Sequence, residues 1–141
     1  MTECVYCKGD VPSNVYKVCD LPSSTVYLFR EQTHYGRCVV AELGHHKELF
    51  ELSDEELCAY MRDVSAVAKA IDHVFSPYKI NYGYFSDKMG HLHFHLVPKR
   101  EGEPEWGGTF VVDLGQTYLS DQEYAQMASR LVAALADYQK S

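Results

Sequence analysis

Residues 91–96, which read His-Leu-His-Phe-His-Leu, constrain the fold of this chain more than any other segment. Polar and apolar side chains alternate strictly here, and in a β-strand alternate side chains lie on opposite faces of the sheet. We therefore predict a strand over His91–Pro98. Leu92, Phe94 and Leu96 are expected in a core, and the three histidines are expected together on the other face.

The three imidazoles indicate either metal binding or chemistry at a phosphorus or carbon centre. Neighbours on one face of a strand lie about 6.5–7 Å apart, so three rings in a row converge on one ion only with difficulty. Two of them with ligands from elsewhere make an easier metal site. Alternatively, His93 attacks as a nucleophile while a neighbour binds a displaced oxygen, since imidazole is nucleophilic and donates protons near neutral pH. A strand that merely exposes polar residues is the third interpretation.

The remaining strand patterns predict a single α+β domain over residues 1–141 with an antiparallel sheet. Residues 1–14 would form a cysteine-bearing N-terminal segment, and residues 100–141 a C-terminal loop and helix. Further strands are expected at Val15–Asp20, Val26–Arg30, Arg37–Leu43, Lys79–Phe85 and, shorter, Thr109–Val112.

Two helices are predicted from their start signals and apolar spacing. Ser53 and Glu56 form a capping box before apolar residues at helical spacing, and Pro77 ends that helix. A second helix is expected over about Ser120–Tyr138, where Ser120 and a glutamate three residues later repeat the capping box.

Charge and hydropathy narrow the class of partner. The chain has 20 acidic and 13 basic residues, a formal net charge of −7. Such a balance argues against a nucleic-acid polymer as partner, but it permits a small phosphate compound in a local pocket. The N-terminus lacks a signal pattern, and no stretch approaches the roughly 20 apolar residues of a membrane span. We expect a cytoplasmic protein with no membrane partner.

The five cysteines favour thiols or a metal site over a disulfide framework, because their number is odd and the chain is expected in the cytosol. Cys4 and Cys7 have zinc-knuckle spacing. No second cysteine pair exists, so histidines would have to complete a structural zinc site. Two free thiols and a redox pair are the alternatives, although no thioredoxin-like pattern surrounds the pair. The candidate histidines are His34, His45, His46, His73 and His91.

The histidine segment also carries a family resemblance. His91–Val97 matches the His-φ-His-φ-His-φ-φ motif (φ, apolar) of the histidine triad (HIT) superfamily, which the chain resembles from Cys4 to about Arg100. Asn81 and Gly83 match the Asn-x-Gly element of that family, and Gly36–His45 is similar to its Gly-x-x-φ-φ-x-x-x-x-His strand. The resemblance implies a five-stranded antiparallel sheet with two main helices, usually paired as a homodimer, and a small nucleotide as substrate.

The resemblance also implies a mechanism, in which the middle histidine attacks the α-phosphate of a nucleotide conjugate. Water or an acceptor then resolves the covalent nucleotidyl-histidine. Plausible substrates are dinucleoside polyphosphates, nucleoside phosphoramidates and adenylylated compounds, and no organic cofactor is implied. His93 would be the nucleophile, and His95 would contact the phosphate or leaving group beside the third catalytic histidine, His91. The substrate-binding residues carried over are Asn81, Gly83, Phe29 and Glu31, the last in the place of an acidic residue that grips ribose hydroxyls.

A structural zinc is implied as well. Several branches of the superfamily, including the galactose-1-phosphate uridylyltransferases, are similar in pairing such cysteines with two histidines. The ligands would be Cys4, Cys7, His45 and His91. Zinc would fix the start of the catalytic strand without touching the phosphate.

Four departures from the family pattern bear on the nucleobase or the leaving group. Gly36-Arg37 stands where the family usually has Gly-His, Glu42-Leu43 replaces Pro-Lys, Glu31 replaces the usual Asp, and residues 86–90 replace Gly-Gln-Ser. Arg37 is expected at the surface, with contact to a phosphate as the alternative. Two other functions stay open: a nucleotide-binding regulatory module with little turnover, and a metal-dependent oxidoreductase or hydrolase that uses His-x-His as ligands.

Overall fold

A five-stranded antiparallel sheet forms the centre of the computed structural model, which describes residues 4–140. Its strands are β1 (Val15–Leu21), β2 (Ser24–Phe29), β3 (Cys38–Glu42), β4 (Lys79–Gly83) and β5 (His93–Lys99). Their order across the sheet is β1-β2-β3-β5-β4, and each neighbouring pair is antiparallel. With two main helices added, this confirms the predicted α+β class and strand number.

The two helices, α1 (Asp54–Phe75) and α2 (Asp121–Lys140), begin where the capping boxes predicted. Ser53 Oγ accepts from the backbone N–H of Glu56 at 3.1 Å, and the Glu56 carboxylate accepts from the Ser53 N–H at 2.9 Å. Each bond satisfies a backbone donor that would otherwise lack a partner. Helix α1 ends at Phe75, and the next residue, Ser76, has a left-handed backbone (φ 48°) before Pro77. A short 3-10 helix, Leu49–Glu51, precedes it.

The main core lies between the helices and one face of the sheet. Leu92 and Leu96 are fully buried in it and Phe94 packs against it, so the predicted apolar face of the histidine segment is confirmed. The opposite face of the sheet carries a smaller apolar cluster, which consists of Val15, Tyr27, Phe29, Val39 and Ala41 with Tyr6 packed against it. The histidines lie on this second face.

One predicted strand is not formed in the described residues, and the bounds of the others shift by one or two residues. The strand predicted at Thr109–Val112 is wrong, because side chains from elsewhere occupy its backbone groups: the carboxylate of Glu105 accepts from the Val111 N–H, and Arg37 donates to the carbonyls of Val111 and Val112.

The histidine strand starts two residues later than predicted, at His93. The N–H of His91 bonds to the carbonyl of Met89, and the N–H of Leu92 bonds to that of His46, so these residues approach the sheet as a loop.

Within residues 4–140, neither helix is apolar enough over its length to cross a bilayer.

Candidate active site

The structure divides the three histidines into two groups. His93 and His95 stand next to each other on β5, opposite Ala41 and Val39 of β3, with ring centroids 5.5 Å apart. The ring of His91, just before the strand, turns instead toward the N-terminal segment. The row predicted from the alternation is therefore a pair of neighbours and a separate third ring.

His93 is held in a defined orientation. Its Nδ1 lies 2.7 Å from the carbonyl oxygen of His91, and because a carbonyl only accepts, Nδ1 carries the proton. In the neutral ring Nε2 then keeps its lone pair. Burial lowers the pKa of His93, which favours that neutral form. The hydroxyl oxygen of Ser86 lies 3.0 Å from Nδ1 and 3.3 Å from Nε2, and the rings of Tyr6 and Tyr84 flank the imidazole at 5.1 and 5.6 Å.

His95 is paired with an arginine that the sequence placed at the surface. That expectation is wrong: Arg37 is fully buried, and its Nη2 lies 2.9 Å from Nδ1 of His95. The guanidinium carbon sits 4.2 Å from the ring centroid of Phe29 and 5.2 Å from that of Phe110. Cation–π contacts of this kind, with carbonyl acceptors, make burial of an arginine tolerable. The ring of Phe29 also contacts His95 edge-on, with centroids 5.3 Å apart.

Asn81 and Gly83 lie on the histidine face of the sheet. In the β4–β5 register Gly83 pairs with His95 and Asn81 pairs with Val97, and paired residues share a face. A Cβ added to Gly83 would come within 2.7 Å of Cζ of Phe110, so glycine is what lets that ring approach the strand. Asn81 lines a cleft of about 320 Å³ beside Phe110.

Glu31 anchors the C-terminal loop. Its carboxylate accepts four hydrogen bonds, from the N–H and hydroxyl of Thr33 and from the N–H groups of Gln116 and Thr117. Burial alone would raise the pKa of this carboxyl, but the hydrogen bonds outweigh burial and lower the pKa. Three of the four bonds fall on Oε2 and one on Oε1, so the carboxylate is held mainly through one oxygen.

Four predicted metal ligands converge. Sγ and Nδ1 atoms of Cys4, Cys7, His45 and His91 all lie within 4.8 Å of one another. Nδ1 of His91 lies 3.3 Å from Sγ of Cys4 and 3.2 Å from Nδ1 of His45, and Sγ of Cys7 lies 3.2 Å from the latter atom. Tetrahedral zinc with sulfur and nitrogen ligands needs edges of about 3.3–3.8 Å. The donor set and its spacing therefore fit zinc.

A second feature of His91 supports a ligand role. Its Nε2 lies 2.7 Å from the backbone carbonyl of Glu42, which fixes the proton on Nε2 and leaves the lone pair of Nδ1 available to a metal. The other candidates lie apart from this group. His46 pairs with the Glu42 carboxylate at 2.7 Å, His34 pairs with Glu105 at 2.7 Å, and His73 is exposed on α1.

Several residues of the site were not found from the sequence. The rings of Tyr6 and Phe110 cover the histidine face, and the hydroxyl of Ser86 reaches His93 from a left-handed backbone (φ 46°). No periodicity marks them. Among the residues missed, only Arg37 could have been noticed from the sequence, because it stands where the family motif usually has the histidine of a Gly-His pair.

Comparison with known proteins identifies the family. The model of the HIT domain matches residues 16–102. The chain belongs to the HIT family. Among its relatives is an adenosine 5'-monophosphoramidase of Schizosaccharomyces pombe, 31% identical over 104 residues that span 71% of this chain and 77% of the relative. An uncharacterised HIT-like protein of Methanocaldococcus jannaschii is 27% identical over 109 residues, 72% of this chain and 83% of the relative.

Solved structures of HIT proteins share the fold. A histidine triad protein from Bradyrhizobium japonicum superposes with a TM-score of 0.80 at 18% identity, covering 89% of this chain and 96% of the other. A Zn-bound histidine triad family protein from Mycobacterium smegmatis gives a TM-score of 0.66 at 20% identity, covering 97% and 96%. At such identities the likeness concerns the fold alone.

Proposed function

We propose that this HIT protein is a nucleotidyl hydrolase, with transferase activity as a variant, that acts on the α-phosphate of a nucleotide conjugate. The observation that carries the proposal is the 2.7 Å contact between Nδ1 of His93 and the carbonyl of His91. It orients the ring and leaves Nε2 as a nucleophile next to His95. Membership of the HIT family and a phosphoramidase among its relatives support the same reaction class.

The chemistry follows from the two ring nitrogens of His93. Nε2 attacks phosphorus, the bond to the leaving group breaks, and a nucleotidyl-imidazolium forms. Its Nδ1–H stays bonded to the His91 carbonyl, which stabilises the positive charge that develops on the ring. Water then attacks phosphorus and returns the electron pair to Nε2. His95 binds an oxygen of the phosphate or leaving group.

The substrate pocket is proposed on the histidine face. Asn81 and Gly83 line its phosphate and ribose side, and the ring of Phe29 forms a wall beside His95. Because the carboxylate of Glu31 is bonded to the loop around residues 116–117, we propose that it shapes the ribose side by holding this loop. Dinucleoside polyphosphates, nucleoside phosphoramidates and adenylylated compounds remain the candidate substrates.

We further propose that Cys4, Cys7, His45 and His91 hold a structural zinc. The ion would tie the N-terminal segment to the start of β5, and it would take no part in phosphoryl transfer. Zinc binding would thereby also fix His91, whose backbone carbonyl accepts the hydrogen bond from His93. The homodimer and the cytoplasmic location implied earlier stay predictions.

Mass spectrometry of the protein after brief reaction with an adenylylated substrate tests the proposal. We expect a nucleotidyl adduct on a peptide that contains His93, and loss of both adduct and turnover in His93→Ala. Such a loss should be at least about 100-fold, since the nucleophile itself is removed. The matched control is His73→Ala, an exposed histidine on α1.

Turnover by His93→Ala at the wild-type rate would refute nucleophilic catalysis by this residue. Binding of AMP by the wild-type protein without hydrolysis of any of the three substrate classes would favour the regulatory module.

A further inference from the structure

We propose that Arg37 is a positioning residue that holds His95 as a neutral imidazole with its proton on Nε2, so that His95 donates a hydrogen bond to the leaving group but does not give it a proton. The inference rests on the proposed function for its catalytic consequence. The tautomer itself follows from geometry alone.

The contact between Arg37 and His95 fixes where the imidazole proton lies. A guanidinium has only donors, and its Nη2 lies 2.9 Å from Nδ1 of His95. Nδ1 must therefore accept, which places the single proton of the neutral ring on Nε2. Protonation of Nδ1 would set two N–H groups and two cations against each other at this distance. Burial lowers the pKa of Arg37 to about 10, which still leaves it charged at neutral pH.

Arg37 is held rigidly enough to impose this state. Its Nη2 also donates to the carbonyl of Val112 at 2.8 Å, and its guanidinium carbon lies 4.2 and 5.2 Å from the ring centroids of Phe29 and Phe110. The carboxylates of Glu31, Asp113 and Glu105 act on it electrostatically and raise its pKa against the effect of burial. The guanidinium thus reaches His95 from a position fixed by loop and sheet.

The surroundings of His95 agree with a ring that stays neutral. It is 5% exposed, with Phe29 on one side, Phe110 on another and Gly83 opposite it on β4. The titratable groups that face it are Arg37, which immediately precedes β3, and His93, its neighbour on β5. Burial first, then Arg37, then His93 lower the pKa of His95 to about 3.

This state selects the kind of leaving group. When Nε2 of His93 bonds to phosphorus, the electron pair of the broken bond goes to the leaving atom. A neutral imidazole N–H is far too weak an acid to protonate that atom, although it stabilises an anion by a hydrogen bond. Groups stable as anions, such as the phosphates of a polyphosphate, can leave directly, whereas an amine must bring or acquire a proton. In the second step the proton of the attacking water goes to solvent.

Nitrogen-15 NMR of the histidine-labelled, zinc-loaded protein tests the tautomer directly. We expect His95 to show a protonated Nε2 and an unprotonated Nδ1, unchanged from pH 8 to pH 5. In Arg37→Met the pKa of His95 should rise above its wild-type value, because the neighbouring charge is removed while burial remains, and Nδ1 is no longer barred from carrying the proton. Arg37→Lys, which keeps a cationic donor, should restore much of the wild-type behaviour. A wild-type His95 with its proton on Nδ1, or one that titrates between pH 8 and pH 5, overturns the inference without any need for a variant.

Kinetics separate positioning from a merely structural role. For two substrates that share an adenylyl group, one with a phosphate and one with an alkylamine leaving group, the amine-to-phosphate ratio of kcat/KM at pH 6 should rise at least about tenfold in Arg37→Met, because His95 can then act as a general acid. The control Arg130→Met, at an exposed arginine of α2, should leave the ratio unchanged. An unchanged ratio in Arg37→Met overturns the leaving-group role.

The two proposals fail separately. Absence of an adduct on His93 would refute the proposed function and leave the NMR result intact. A protonated Nδ1 on His95 would refute the inference and leave the adduct intact.

Discussion

Acidification to pH 5 should destabilise the fold, and His95 should account for a separable part of that loss. Its pKa in the folded protein is about 3, lowered first by burial, then by Arg37 and then by His93, against 6.5 for an ordinary histidine. Between these values the unfolded chain binds a proton that the native state does not bind. The stability linked to His95 is therefore present above pH 6.5 and is lost progressively as the pH falls toward 3.

The magnitude follows from the distance between the assay pH and the unfolded pKa. A pH of 5 lies 1.5 units below the pKa of 6.5 for the imidazole in the unfolded chain, and one unit corresponds to 1.36 kcal/mol. His95 should therefore lower the free energy of unfolding by about 2 kcal/mol at pH 5. The residue is 5% exposed, so solvent screening reduces this figure little. A cost of this size is a substantial fraction of the stability of an ordinary domain.

Urea unfolding at pH 7.5 and pH 5.0, with zinc at saturation, measures the effect in wild type and His95→Asn. The asparagine Oδ1 takes the position of Nδ1 and can accept from Arg37, but the side chain does not titrate. We expect the pH-dependent loss in free energy of unfolding to be about 2 kcal/mol smaller in His95→Asn. The control is His73→Asn, at an exposed histidine that should leave the loss unchanged. Equal losses in wild type and His95→Asn would refute the reasoning.

Gly36→Ala should lower the free energy of unfolding by about 1–3 kcal/mol in thermal denaturation, because Gly36 has φ +100° and a Cβ there would lie 2.7 Å from Cδ2 of Phe75. Gly102→Ala is the control: Gly102 is also left-handed (φ +81°), but a Cβ there would meet no atom within 4 Å, so the loss of stability should be smaller. Equal losses in the two variants would contradict a steric clash with Phe75. The free energy of unfolding should be about 4 kcal/mol lower in the presence of a chelator than in the presence of free zinc at 1,000 times its Kd. Elemental analysis should find zinc in wild type and in the exposed-thiol control Cys58→Ser but not in Cys4→Ser, and zinc retained by Cys4→Ser would contradict the ligand assignment.

Local sequence signals predicted the secondary structure because the responsible interactions are local. The alternation in residues 91–96 fixes which side chains of β5 enter the core, and the capping boxes at Ser53 and Ser120 fix where the helices start. The metal cluster was predicted through the family resemblance, since its cysteines and histidines lie up to 87 positions apart and no local pattern pairs them.

Long-range packing explains what the sequence did not predict. Thr109–Val112 has the β-branched composition of a strand, but Arg37 and Glu105 occupy its backbone groups before a neighbouring strand can. Arg37 is buried against the rings of Phe29 and Phe110, and these two residues come from segments about 80 residues apart in the chain. Neither outcome follows from residue type and spacing.

His91 connects the proposed metal site, the sheet and the proposed nucleophile through three of its atoms. Its Nδ1 lies in the ligand cluster, its Nε2 bonds to the Glu42 carbonyl on β3, and its own carbonyl accepts from His93. Substitution of His91 would remove the first two contacts at once and disturb the third, so a loss of activity in His91→Ala would not identify a catalytic role. Cys4→Ser removes a ligand and leaves the contacts of His91 to β3 and His93 in place. It is therefore the variant that separates a metal that orders the nucleophile from a metal that only stabilises the fold.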